Sequence, residues 1–233
     1  MQAPFVDAAT AVDPNNRANT FLSYYTWGSG VALALDLTLR TTFEGLTLDL
    51  VMRDMWATHG VTEITYDVDD IEAALTRVTR DADFARGFFD QYVRGREAPD
   101  FRLLLESVGI ELKAARPGTA WIGPLNMRFG DGVVTMLGTP LLDTPLSDVG
   151  IDRGDRITSI DGVTLTGRSD LVGVLARHRP GDAVTVRFES RGETYEATLT
   201  LMEDPALAAA LAQGGGTGQQ IAARAAWSEA SEG

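Results

Sequence analysis

Gly150-Ile151-Asp152-Arg153-Gly154-Asp155-Arg156-Ile157, followed by Ile160-Asp161-Gly162, decides how the second half of this chain is read. Glycines interleaved with aspartates ask for tight turns, because Gly takes positive φ without a Cβ clash and Asp hydrogen-bonds to nearby backbone N–H groups. Arg156 to Ile160 then reads as a short strand closed by the Asp161-Gly162 turn. The same period of two recurs on both sides: Trp121 to Phe129, Val133 to Leu137, Val184 to Phe188 and Thr194 to Leu201. Gly130-Asp131-Gly132 and Arg191-Gly192 supply further turns. One helix interrupts the strands, "RSDLVGVLARH", with Leu171, Val174 and Leu175 inward and Arg177, His178 and Arg179 at its C-terminal end, where positive charge complements the dipole. The pattern predicts a β-barrel-like module over 119–203 with a helix across an open edge.

Upstream, from about Ser29 to Ile110, the period is helical. "SGVALALDLTLRTT" alternates at Leu33, Leu35, Leu37 and Leu39 as a strand would, but its Ala/Leu content and length favour a helix buried on most sides. Thr47 is placed to cap a second helix with Leu48, Val51, Met52, Met55 and Trp56 on one face and Gly60 as its stop. Asp69 with Glu72 reads as a capping-box start. Phe88, Phe89, Tyr92 and Val93 form the apolar face of the next helix, and "PDFRLLLESVG" makes a last short one, opened by Pro99 and stopped by Gly109. The expected class is therefore α+β: an irregular leader over 1–19, an α-helical bundle over 20–115, the β module over 119–203, and a flexible tail with a short helix over 204–233.

Composition narrows function. A net charge of −13 over 233 residues argues against nucleic acid or an anionic membrane as partner, since both need clustered Lys and Arg. There is no cysteine, and Lys113 is the only lysine, so thiolate zinc sites, cysteine nucleophiles and a P-loop are excluded. No run of about 18 apolar residues can span a membrane, and "MQAPFVDAATAVDPNNRANT" lacks the basic start and apolar core of a signal peptide. That Pro/Asn/Asp-rich opening reads either as a cut through a larger protein or as a native leader.

The Gly150–Ile157 loop and the run from "TPLSDVG" to "FESRG" resemble the PDZ domain, in particular its bacterial protease-associated type. The resemblance implies a groove between Trp121-Ile122-Gly123-Pro124 and the helix Ser169 to His178, where a peptide or protein C-terminus pairs as an added strand. It assigns peptide binding to Ile122, Gly123, Leu171 and Leu175; the apolar three read equally as core. Pro124 departs from the pattern, because it has no N–H to offer a carboxylate.

The helical blocks "SYYTWGSGVALALDLTLR", "LTLDLVMRDMWATHG", "FFDQYVRG" and "PDFRLLLESVGIEL" resemble, in that order, the C-terminal half of the glycyl aminopeptidase family of zinc metallopeptidases. Those enzymes carry a thermolysin-like catalytic domain, a helical region and a C-terminal PDZ domain. By this resemblance Tyr25, in Tyr-x-x-Gly at a helix start, is the catalytic hydroxyl that stabilises an oxyanion, with Tyr24 second and Gly28 allowing close approach; both tyrosines also read as ordinary packing at a helix entrance. The chain departs from the family where zinc is held. His-Glu-x-x-His is absent, and His59 and His178 are the only histidines. No metal ligand is assigned here; zinc is expected in the intact enzyme, on an upstream domain of the same protein. The expected function is the C-terminal portion of a zinc metallo-aminopeptidase, inert alone, and the alternative is a non-catalytic peptide-binding adaptor. A periplasmic or exported location follows from the resemblance only.

Overall fold

The computed structural model describes residues 3–130 and 132–228. Along the chain, α1 (Phe5–Thr10) and α2 (Arg17–Thr20) precede α3 (Tyr24–Thr42), α4 (Leu48–Met55), a π-helical turn (Trp56–Gly60), α5 (Val68–Thr79), α6 (Ala82–Tyr92) and α7 (Phe101–Glu106). There follow β1 (Ile110–Ala114), β2 (Ala120–Trp121), β3 (Met127–Gly130), β4 (Val133–Met136), α8 (Pro145–Asp148), β5 (Arg156–Ile160), β6 (Val163–Thr164), α9 (Arg168–Leu175), β7 (Ala183–Ser190), β8 (Glu193–Thr200), β9 (Met202–Glu203), β10 (Leu207–Leu211) and α10 (Gly218–Ser228). The chain is α+β and divides into two compact units. A helical unit takes the described parts of Met1–Thr10, Leu22–Leu112 and Ala209–Gly233; a β unit takes Ala11–Phe21 and Lys113–Ala208.

In the helical unit no residue of α3 from Val31 to Arg40 is exposed, and Leu37 and Leu39 are wholly excluded from solvent. Its core joins Leu39 to Val51 of α4, Leu75 of α5 and Phe88 of α6. Each such side chain contributes about 1.5–3 kcal/mol by leaving water. The one charged residue buried in α3, Asp36, accepts from Arg40 Nε (2.9 Å) and from the Leu48 N–H (2.9 Å). Thr47, expected to cap α4, stands at the N-cap position but gives no side-chain bond; the carboxylate of another helix satisfies that end instead. Ion pairs join the helices: Asp54 of α4 with Arg77 of α5 (2.5 Å), and Arg94 with Glu72 (2.6 Å) and Asp69.

The start of α5 lies two residues before the expected Asp69. Asp67 is the N-cap, and its side chain and that of Asp70 complete a capping box.

The β unit carries a six-stranded sheet in the order β3-β4-β5-β7-β8, with β6 paired to β5. β7 buries Val184, Val186 and Phe188 on one face, and these meet Ile157, Ile160 and Leu199 in the core. At the Asp161-Gly162 turn both residues hold positive φ, +52° and +74°, which brings the chain tightly from β5 into β6. Asp155, buried, accepts the Asp152 N–H (2.9 Å) and so fixes the loop that opens the fold's diagnostic stretch. Of the expected turn Gly130-Asp131-Gly132, Asp131 lies outside the described residues.

Three expected boundaries shift. The long strand Trp121 to Phe129 is interrupted between β2 and β3, because Pro124 cannot donate to a ladder. The leader contains α1 and α2, and its residues 11–21 belong to the β unit. There Asn19 donates to the Pro140 carbonyl (2.9 Å) and accepts from the Leu142 N–H (2.8 Å), while Thr139 donates to the Asn15 carbonyl (2.9 Å). The segment 204–233, expected as a flexible tail with a short helix, supplies β10 as well as α10. β10 pairs with β1, and Arg224 of α10 donates to the Val108 carbonyl (2.8 Å).

Candidate functional site

The β unit offers an open sheet edge. β3 ends the sheet order, bonded to β4 on one side and to no other strand among the described residues. The Leu137 N–H donates to the Asn126 carbonyl (3.0 Å), and β3 and β4 pair in the register Met127↔Met136 and Arg128↔Thr135. Antiparallel bonding alternates, so Asn126, Arg128 and Gly130 face β4 while the N–H and C=O of Met127 and Phe129 point to the open side. A row of unpaired donors and acceptors of this kind is a template for an added strand.

The residues expected to bind peptide divide in two. Ile122 and Leu171 are 0% and 1% exposed and lie in the module's core. Leu175 is half-buried and packs against that core, as Leu125, Met127 and Phe129 do. Leu171 and Val174 anchor α9 in the same core, and Asp170 holds the start of α9 by accepting from the Thr166 N–H (2.7 Å), the Thr166 hydroxyl (2.6 Å) and the Gly167 N–H (3.0 Å). Those bonds, the hydroxyl's first, hold the Asp170 carboxyl below its ordinary range. Gly123 carries φ +124°, and a Cβ there would stand 3.3 Å from Thr144 Oγ1, so the loop before β3 needs glycine on both counts. The sequence reading passed over Leu125, Met127 and Phe129; their spacing of two directly after Pro124 was the available signal.

His178, read as a helix cap, lies beyond α9. Its Nε2 is 3.1 Å from Asp161 Oδ2 and its Nδ1 3.6 Å from Asp182 Oδ2, so it ties the β5–β6 turn to the approach to β7.

In the helical unit Tyr24 and Tyr25 begin α3, whose N-cap Ser23 accepts from the Thr26 N–H. Tyr25 is 72% exposed and its ring centre lies 4.2 Å from that of Tyr24. The neighbouring Tyr25 hydroxyl holds the Tyr24 phenol above its ordinary range. Of the two glycines after Trp27, a Cβ on Gly28 would meet Phe5 at an ordinary 3.8 Å, whereas one on Gly30 would crowd the Phe101 ring at 3.3 Å. Gly30 is thus the glycine that helix packing requires.

A second feature of this unit is an apolar concavity of about 650 Å³ beside the π-helical turn, lined by Met52, Met55, Trp56, Ile64, Tyr66 and His59 among others. His59 Nδ1 is buried there without a hydrogen-bond partner. Among the described residues no three His, Asp or Glu side chains converge to hold a metal, so the residues present do not make a zinc site. No described helix is long and apolar enough to cross a membrane.

Residues 108–201 match the PDZ domain family, and the β module is a PDZ domain. None of the curated proteins matches the chain in sequence. Among solved structures, an aminopeptidase N family protein from Idiomarina loihiensis shares the fold with a TM-score of 0.74 at 24% identity, covering 92% of this chain and 38% of its own. This chain therefore spans well under half the length of that protein. A serine endoprotease from Yersinia pestis matches with a TM-score of 0.32 at 23% identity, over 37% of this chain and 30% of its own. The PDZ domain of HtrA3, solved with the phage-derived ligand FGRWV, matches with a TM-score of 0.29 at 16% identity, over 47% of this chain and 98% of its own.

Proposed function

We propose that this chain is the C-terminal portion of a zinc metallo-aminopeptidase of the glycyl aminopeptidase kind, whose helical unit completes an active-site cleft and whose PDZ domain binds peptide. The observation that carries the reading is Tyr25: a phenol 72% exposed at the first turn of a helix whose middle is buried, in a fold shared over 92% of the chain with an aminopeptidase N family protein. Zinc, supplied by polypeptide outside this chain, polarises a scissile carbonyl when bound. Tyr25 donates a hydrogen bond to the oxygen on which negative charge develops, with the Tyr24 ring packed beside it. A donor aimed at developing charge is worth about 2.7–4 kcal/mol of barrier. The chain alone is inert.

The test is reconstitution with the separately expressed zinc domain. Tyr25→Phe is expected to lower kcat about 10²–10³-fold with unchanged melting temperature, since the lost hydroxyl is exposed. Equal activity removes Tyr25 from the mechanism.

The open β3 edge favours a second reading, a peptide-binding adaptor in which the PDZ domain alone acts. An in-frame His-Glu-x-x-His upstream of Met1 supports the enzyme; a ribosome site and stop immediately before Met1 support the adaptor.

A further inference from the structure

We infer that the groove of this PDZ domain takes an internal, extended peptide segment as readily as a free C-terminus, and that Pro124 removes the advantage a terminal carboxylate would otherwise have. The inference rests on the reading that peptide pairs with the β3 edge. A carboxylate is held at such a groove by backbone N–H groups converging from the turn that opens the edge strand, and each missing donor leaves part of the anion's hydration unreplaced. Here the turn is Ile122-Gly123-Pro124-Leu125-Asn126. Pro124 has no N–H, at the position directly after the glycine whose φ of +124° turns the chain. The Asn126 N–H is engaged with the Pro124 carbonyl (3.0 Å), so a second donor of the same turn is turned inward on the loop itself. The strand edge is intact by contrast: Met127 and Phe129 keep both N–H and C=O outward. An arrangement that has lost one donor at Pro124, turned another inward at Asn126 and kept its ladder recognises backbone and side chains of a passing strand. A net charge of −13 on the chain disfavours an approaching carboxylate further.

The experiment uses the full chain. Binders are selected from two phage-displayed random decapeptide pools, one ending in a free C-terminus and one flanked on both sides. The best binder is then synthesised as the free acid, as the C-terminal amide and with four added residues, and each is titrated by fluorescence polarisation. The three forms are expected to agree within about threefold. In Pro124→Ala, which restores an N–H at an exposed position, the acid is expected to gain at least about fivefold over the amide. A free acid at least tenfold tighter in the wild-type chain overturns the inference while leaving peptide binding in place. An unchanged acid-to-amide ratio in Pro124→Ala overturns the role of Pro124. Met127→Pro removes an outward N–H without touching the β4 ladder and is expected to weaken all three forms tenfold or more, whereas Met127→Ala, which loses the same core packing but keeps the N–H, is expected to weaken them less than threefold. Failure of both pools to yield a binder, or binding indifferent to Met127→Pro, sinks the reading of the β3 edge and the inference with it.

Discussion

The two units of this protein solve burial differently. In the β unit, no buried side-chain nitrogen or oxygen among the described residues lacks a partner; in the helical unit Trp27 Nε1 and His59 Nδ1 both do. The helical unit also leaves large aromatic groups in water, with Trp56 67%, Tyr25 72% and Tyr66 61% exposed. A buried polar group left unpaired costs about 1–3 kcal/mol. The PDZ domain thus has its buried polar side chains paired and only the ends of its sheet, β3 and β8, without a neighbouring strand among the described residues, whereas the helical unit keeps unpaired buried nitrogens and exposed aromatic rings. That difference agrees with the proposed division of labour, in which one unit acts by itself and the other needs a partner.

The comparison breaks if the units do not unfold separately. Ile157→Ala and Leu75→Ala remove side chains wholly excluded from solvent, one in each core. Each is expected to cost about 2–5 kcal/mol, and calorimetry should show each lowering its own transition. A single transition shifted by either variant removes the distinction.

Next in size is Asp36, whose carboxylate holds the first N–H of α4 and the Arg40 guanidinium. Asp36→Ala leaves the Leu48 N–H without its acceptor and Arg40 with the Ala226 carbonyl (3.0 Å) in place of the carboxylate, and is expected to destabilise the helical unit by about 1–3 kcal/mol. Asp36→Asn keeps an acceptor for Leu48 and should cost less. Urea unfolding followed by far-ultraviolet circular dichroism separates the two, and equal losses would show that the charge, and not the cap, matters.

Arg94 gives a smaller effect. It meets Glu72, Asp69 and Asp90 (3.3 Å) at a site about one third exposed, and the first two partners hold its guanidinium charged well above the ordinary range. Screening by water and salt limits the network, so Arg94→Met is expected to cost about 1 kcal/mol or less. The loss should shrink further in molar salt.

The same contrast explains what could be read from sequence. The PDZ domain was legible because its signals are local: the Gly150–Ile157 loop, the Asp161-Gly162 turn and the alternation of β7 act within a few residues. The helical unit's types were legible from period, but its ends were not. The cap of α4 comes from Asp36, twelve residues before Leu48. β10 was hidden because Leu207-Ala-Ala-Ala-Leu211 has helix-forming composition, and only pairing with β1 makes it a strand. The docking of Asn15 and Asn19 on residues 139–142 leaves no mark in either segment. At the candidate site, resemblance pointed to Ile122 and Leu171 although both are core; the outward backbone of Met127 and Phe129 depends on register, which hydropathy does not record.

The smallest expected effect bears on α9, the wall of the groove. Asp170 accepts from Thr166 and Gly167, and these bonds hold the pKa of its folded carboxyl below the ordinary range of an aspartate. The unfolded chain therefore binds this proton more readily than the folded one. The stabilisation is full above the unfolded value and is lost as pH falls through the folded one. Stability of the PDZ transition should accordingly decline as pH drops below about 4, and in Asp170→Asn the part of that decline owed to Asp170 should vanish while the transition of the helical unit keeps its wild-type acid response. A wild-type pH profile for the PDZ transition in Asp170→Asn would mean that the start of α9 frays in solution. The groove would then lack a fixed wall, and peptide affinity would depend on β3 alone.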